Sequence, residues 1–166
     1  DMKLLLMLYT EIPPLRSDYA DVKIFQKEEN IPEGQKQKDN YIVGDTFHLV
    51  NYKTVKKYGP KQIKFTKNIM KQLDISLKNK PRDYLFLDSR RKSFGESTNG
   101  KNNFNKYFNK KLKKLFKNDN ISLTYFRHLY ISRPDLKLNE KTLAEREKIA
   151  LIMGHSLAQQ SRYLWM

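Results

Sequence analysis

Five polar side chains spread through the chain are of the types that phosphate chemistry uses: Arg16, Lys53, Arg127, His155 and Tyr163. Arg127 stands in Leu123-Thr124-Tyr125-Phe126-Arg127-His128, flanked by Leu123, Phe126 and Leu129, which puts it on a mostly apolar helix. A guanidinium drawn toward an interior needs a partner. An internal carboxylate is one answer. A phosphate, gripped by the planar fork through two parallel hydrogen bonds, is the other. Arg16 follows Pro13-Pro14-Leu15 at the mouth of a turn, with Asp18 close behind as a carboxylate able to orient it. Lys53 lies in Asn51-Tyr52-Lys53-Thr54, toward the tip of an expected hairpin, where a lysine can enter a groove. His155 follows Gly154 at a helix end, in Met153-Gly154-His155-Ser156, and Tyr163 comes eight residues later. Taken singly, each has an ordinary explanation: an ion pair, a solvated lysine, a capping histidine, a packing tyrosine.

The elements that must hold these residues follow from periodicity and punctuation. Met2 to Thr10 reads as an apolar helix, ended before Pro13-Pro14 because proline lacks an N–H and biases its predecessor toward extended geometry. Tyr41–Val43, Thr46–Asn51 and Gln62–Phe65 read as strands, with Tyr58-Gly59-Pro60 as a turn. Thr66–Leu77 is a helix carrying Ile69, Met70, Leu73 and Leu77 at helical spacing. Asp83–Leu87 is a short extended run. Phe104, Tyr107, Phe108, Leu112, Leu115 and Phe116 form an apolar stripe opposite a lysine face. Leu123–Ser132 and Leu143–Met153 are further helices, the second stopped by Gly154, and Leu157–Leu164 is a short last one. Lys27–Asn40 and Arg90–Asn103 read as loops. The expected fold is α+β, mainly α with a small antiparallel β-sheet, in a single domain over 1–166.

The chain has 166 residues and a formal net charge of +15. Lysines crowd Asn51–Lys80 and Lys101–Lys117, while acids gather in Lys27–Asp45 and Asn139–Glu147. A basic face with an acidic back fits steering toward a phosphate backbone, so a nucleic acid is the expected partner. Lys56, Lys57, Lys110, Lys113 and Lys114 lie in these basic stretches. There is no cysteine, which excludes disulfides, thiolate metal sites and cysteine nucleophiles. With three histidines and no carboxylate cluster, no metal site and no cofactor are expected. No apolar run is long enough to span a membrane, and Leu4–Leu8 leads into polar sequence without a signal-peptide cleavage site.

In order along the chain, Leu-Arg-Ser-Asp-Tyr at 15–19, Tyr-Lys-Thr at 52–54, Phe-Arg-His at 126–128, and Met-Gly-His-Ser at 153–156 leading to Tyr163 resemble the catalytic domain of the tyrosine recombinase (phage integrase) family. The matching stretches are Leu4–Ile24, Phe47–Leu73 and Leu123–Tyr163. Two departures stand out. The family usually has His or Lys three residues before the second arginine, where this chain has Thr124, whose hydroxyl donates a hydrogen bond but carries no charge. The histidine-to-tyrosine gap is eight residues, where nine is commoner.

The resemblance implies a site-specific recombinase or integrase that cuts and rejoins DNA through a covalent 3′-phosphotyrosyl intermediate, without metal. Tyr163 would be the nucleophile and Lys53 the acid that protonates the departing 5′-oxygen. Arg16 and Arg127 would clamp the phosphate, and His155 would donate a hydrogen bond to it, with Asp18, Thr124 and His128 in support, while Lys56, Lys57, Lys110, Lys113 and Lys114 would hold double-stranded DNA nonspecifically. It further implies a C-terminal piece of a longer protein with an N-terminal DNA-clamping domain, a tetramer on DNA, and an intracellular setting with DNA, such as a virus or mobile element. A type IB topoisomerase-like enzyme and a noncatalytic basic DNA-binding module with a decayed site stay open beside it.

Overall fold

A computed structural model of the chain describes residues 1–164. The helices are α1 (Met2–Thr10), α2 (Gln35–Lys38), α3 (Val55–Tyr58), α4 (Lys67–Asn79), α5 (Gly100–Phe116), α6 (Leu123–Ser132), α7 (Leu143–Met153) and α8 (Leu157–Tyr163). The strands are β1 (Val22–Phe25), β2 (Asn40–Val43), β3 (Thr46–Leu49) and β4 (Lys61–Lys64), side by side in that order. The fold is therefore α+β and mainly helical, as expected. β2, β3 and β4 form the expected antiparallel meander. β1 adds a fourth strand that pairs parallel with β2, so the sheet is mixed. No turn announces such a strand, because a parallel partner is reached by a long crossover and not by a hairpin. Here the crossover contains α2, so Lys27–Asn40 is not wholly loop.

The helices begin where capping residues stand. Thr66, Ser122, Thr142 and Ser156 each accept a hydrogen bond from the backbone N–H three residues on, at 3.1, 3.1, 3.3 and 3.2 Å. Each such cap is worth about 1 kcal/mol. At α7 the cap is reciprocal, because the Glu145 carboxylate also accepts from the Thr142 N–H at 2.8 Å.

The main core joins the inner face of the sheet (Ile42, Phe47, Leu49, Ile63) to α1, α4, α5 and the start of α6. Phe104, Phe108 and Leu112 of the apolar stripe are buried in it, whereas Leu115 and Phe116 at the end of α5 remain exposed. A second, smaller core consists of Tyr130, Ile131, Leu136, Leu138, Met153 and Tyr163, and it binds α6, α7 and α8 together. Asn40 extends the β2–β3 pairing past Leu49. Its side-chain oxygen accepts from the Val50 and Asn51 N–H groups at 2.9 and 2.7 Å, which fixes the segment leading into Lys53.

Candidate active site

α6 brings Arg127 into the seam between the two cores, where it is 2% exposed. Its guanidinium donates to the Pro14 carbonyl at 2.5 Å and the Met153 carbonyl at 3.2 Å. Its Nε reaches the Tyr163 hydroxyl at 3.4 Å, and its Cζ lies 5.0 Å from the centre of the Tyr163 ring. Two other arginines have acids: Arg82 pairs with Asp1 at 3.5 Å and Arg133 with Asp135 at 3.4 Å. Among the described residues no carboxylate pairs with Arg127. A buried cation held only by neutral carbonyl dipoles and a phenol attracts an anion strongly, because the low dielectric around it magnifies the Coulomb attraction.

The α7–α8 turn supplies the histidine. Gly154 closes α7 in the left-handed region (φ +70°), and its N–H returns to the Leu151 carbonyl at 3.1 Å. His155 follows, 4% exposed, with its ring centre 5.3 Å from that of Tyr163. Its Nδ1 is 3.0 Å from the Ser156 carbonyl. A carbonyl can only accept, so Nδ1 carries the proton and Nε2 is left as a lone pair, which is buried with no hydrogen-bond partner among the described residues. Burial lowers the pKa of this ring to about 4. The charges of Arg127, Arg16 and Lys61 push the same way, and the Ser156 carbonyl opposes them. His155 is thus neutral at physiological pH. A neutral ring of this tautomer does not donate from Nε2, so the expected hydrogen bond from His155 to a phosphate is not one this geometry makes from that atom.

Tyr163 ends α8, 8% exposed in the second core. The α6 residues His128 and Ser132 fix its backbone, both donating to the Tyr163 carbonyl, at 3.1 and 3.3 Å. The His128 ring also stands edge-on to the tyrosine ring, with centres 4.8 Å apart. α6 therefore contributes Arg127 to the hydroxyl end of Tyr163 and His128 and Ser132 to its backbone. Thr124, one turn earlier, is exposed.

The remaining expected residues stand further out. Arg16 is half-buried beside Pro14. Its carbonyl accepts from the Tyr9 hydroxyl at 2.5 Å, and its charge is felt at His155. Asp18 does not orient it: that carboxylate accepts from Lys101 at 2.9 Å instead, because α5 presents an ammonium directly over it. Lys53 is exposed on the loop after β3, and the neighbouring Tyr52 and Thr54 face the α7–α8 turn. A Cβ on Gly154 would stand 3.9 Å from the Tyr52 ring and 4.0 Å from the Thr54 hydroxyl. Lys56, Lys57, Lys110, Lys113 and Lys114 are all exposed, the first two on α3 and the others on α5. Sequence reasoning passed over Ser132 and Lys61. For Lys61 a signal was present: strand alternation places it on the same face as the buried Ile63.

No protein-family model matches the chain, and no curated protein does. A solved structure does: the crystal structure of XerA recombinase superposes with a TM-score of 0.60 at 15% sequence identity, over 99% of this chain and 52% of that one. The chain shares that protein's fold over about half of its length.

Proposed function

We propose that this chain is the catalytic domain of a tyrosine recombinase, acting on double-stranded DNA. The observation that carries the reading is a buried, carboxylate-free Arg127 touching the Tyr163 hydroxyl, with the unpartnered Nε2 of His155 beside the same ring. The recombinase fold of the XerA neighbour supports it. The three contacting residues come from three helix ends and faces that only the folded chain assembles, which fits a built site better than a decayed one.

The chemistry balances without an outside reagent. A DNA phosphodiester seats against Arg127 and Arg16, and its negative charge offsets their share of what, after burial, holds down the proton affinity of His155. The Tyr163 oxygen attacks phosphorus, and its proton passes to Nε2 of His155. The bond from phosphorus to the 5′-oxygen breaks, and that oxygen takes a proton from Lys53, whose loop adjoins the His155 turn. The product is a 3′-phosphotyrosyl ester and a free 5′-hydroxyl, and attack by a 5′-hydroxyl from another strand reverses every step. The two arginines stabilise the charge gathered on the nonbridging oxygens in the transition state. Assembly into a tetramer on DNA belongs to the same proposal.

The test is a duplex nicked next to the cleavage point, so that the short 5′-hydroxyl fragment diffuses away and the ester accumulates. An SDS-resistant adduct is expected from the wild type. Tyr163→Phe is expected to form none while binding DNA with unchanged affinity. Equal adduct from Tyr163→Phe would remove Tyr163 from the chemistry.

A further inference from the structure

We propose that Lys61 is a positioning residue of this site: its ammonium ties the β3–β4 connection, which carries Lys53, to the carboxyl end of α7 and so sets the Gly154–His155 turn. The functional part of this inference rests on the reading of the site given above.

Register makes Lys61 unusual among the lysines of this stretch. Opposite residues of an antiparallel pair share a face, and β4 pairs Ile63 with Phe47 and Lys61 with Leu49. Phe47 and Leu49 are fully buried, so Lys61 leaves the strand on the core side, while Gln62 and Lys64 point to solvent. A lysine placed there must run along the apolar layer until its ammonium finds acceptors. Its Nζ donates to the Leu151 carbonyl in the last turn of α7, where free carbonyls and the helix dipole favour a cation. On the way it lies 4.3 Å from the centre of the Tyr52 ring and 5.6 Å from that of Tyr58, both on the β3–β4 connection.

One continuous set of contacts results. The Tyr52 hydroxyl donates to the Gly59 carbonyl at 2.6 Å, closing the loop on itself. The Tyr52 ring lies by the Lys61 ammonium, and a Cβ on Gly154 would stand 3.9 Å from that ring. Leu151 accepts both from Lys61 and from the Gly154 N–H that ends the helix. The charge of Lys61 is also among those that lower the pKa of His155. Burial holds Lys61 itself down to about 8, with Asp18 opposing. Lys61 therefore stays a cation at neutral pH, available to the Leu151 carbonyl and the tyrosine rings.

The test compares Lys61→Met, Lys61→Gln and Lys61→Arg. The side-chain nitrogen and ring-proton resonances of the three histidines are read first, because this readout is independent of catalysis. In Lys61→Met and Lys61→Gln the His155 ring signals are expected to move while those of His128 stay, and Lys61→Arg is expected to return them. Cleavage of the nicked duplex at saturating DNA is expected to slow at least about tenfold in Met and Gln, as for a misplaced catalytic group. DNA affinity is expected to hold, and Arg to recover most of the rate. A substrate with sulfur at the 5′-bridging position, which needs no acid, is expected to rescue Lys53→Ala but not Lys61→Met. Unmoved His155 signals in both neutral variants, or an Arg variant as impaired as Met, would overturn the proposal. So would rescue of Lys61→Met by the sulfur substrate, since the loss would then lie in proton delivery to the 5′-oxygen and not in the His155 turn. Should the wild type form no adduct at all, the recombinase reading falls, and the His155 spectra still decide whether Lys61 sets the turn.

Discussion

Arg127 and His155 are opposite solutions to one problem, how to keep a polar group ready inside a protein. Arg127 keeps its charge and borrows carbonyls from Pro14 and Met153. His155 gives up its charge and keeps a bare nitrogen. Each makes a prediction. Arg127→Lys retains the cation but cannot span two carbonyls and a phenol, so adduct formation is expected to fall at least about a hundredfold. The measurement is single-turnover cleavage, and a rate near wild type would show that charge alone suffices. For His155 the pKa is about 4 in the folded chain against about 6.5 unfolded. Between these values the unfolded chain binds the extra proton, so stability rises with pH across the window and is lost as pH falls through it. Urea unfolding from pH 7 to pH 4 is expected to show that slope, and His155→Gln to flatten it. A variant with the wild-type slope would mean that the ring is not buried neutral.

The helices show which elements a sequence discloses. α1, α6 and α7 have the bounds that apolar spacing, prolines and capping residues indicate, because those signals are local. β1 lacks any such signal: it is four residues long, and its partner Asn40–Val43 follows only after a crossover. Site legibility divides the same way. The Arg-His pair on α6 and the Gly-His turn after α7 can be read from neighbouring residues. The Lys101 partner of Asp18 and the inward course of Lys61 depend on which distant elements meet. The α7–α8 turn is the element most exposed to test. An alanine at Gly154 would have to hold φ +70°, which costs about 1 kcal/mol for a residue with a Cβ. Gly154→Ala is expected to lower the melting temperature modestly and to slow cleavage more than that loss explains, because the strain falls on the residue before His155. Equal cleavage at unchanged stability would argue that the turn tolerates movement.

At the scale of the whole molecule, the net charge of +15 is distributed so that the lysines of α3 and α5 face solvent while the Arg127 cation is sealed inside. In the proposed function, affinity and chemistry are thereby separated. Lys110, Lys113 and Lys114 changed together to Gln are expected to reduce the slope of log affinity against log salt by about 1 for each phosphate that they neutralise. Cleavage at saturating DNA is expected to be unaffected. An unchanged slope would move the DNA off α5. Two cores divide the labour in the same manner: the larger supports the sheet and its hairpin, and the smaller, around Met153 and Tyr163, holds the proposed nucleophile.

The most direct measurement is to trap the adduct on a nicked duplex, digest the protein and locate the modified residue by peptide mass spectrometry. The account predicts a nucleotide on Tyr163 through a phosphodiester, and on no other of the ten tyrosines. Covalent DNA on a different residue, or active cleavage that never becomes covalent, would contradict it.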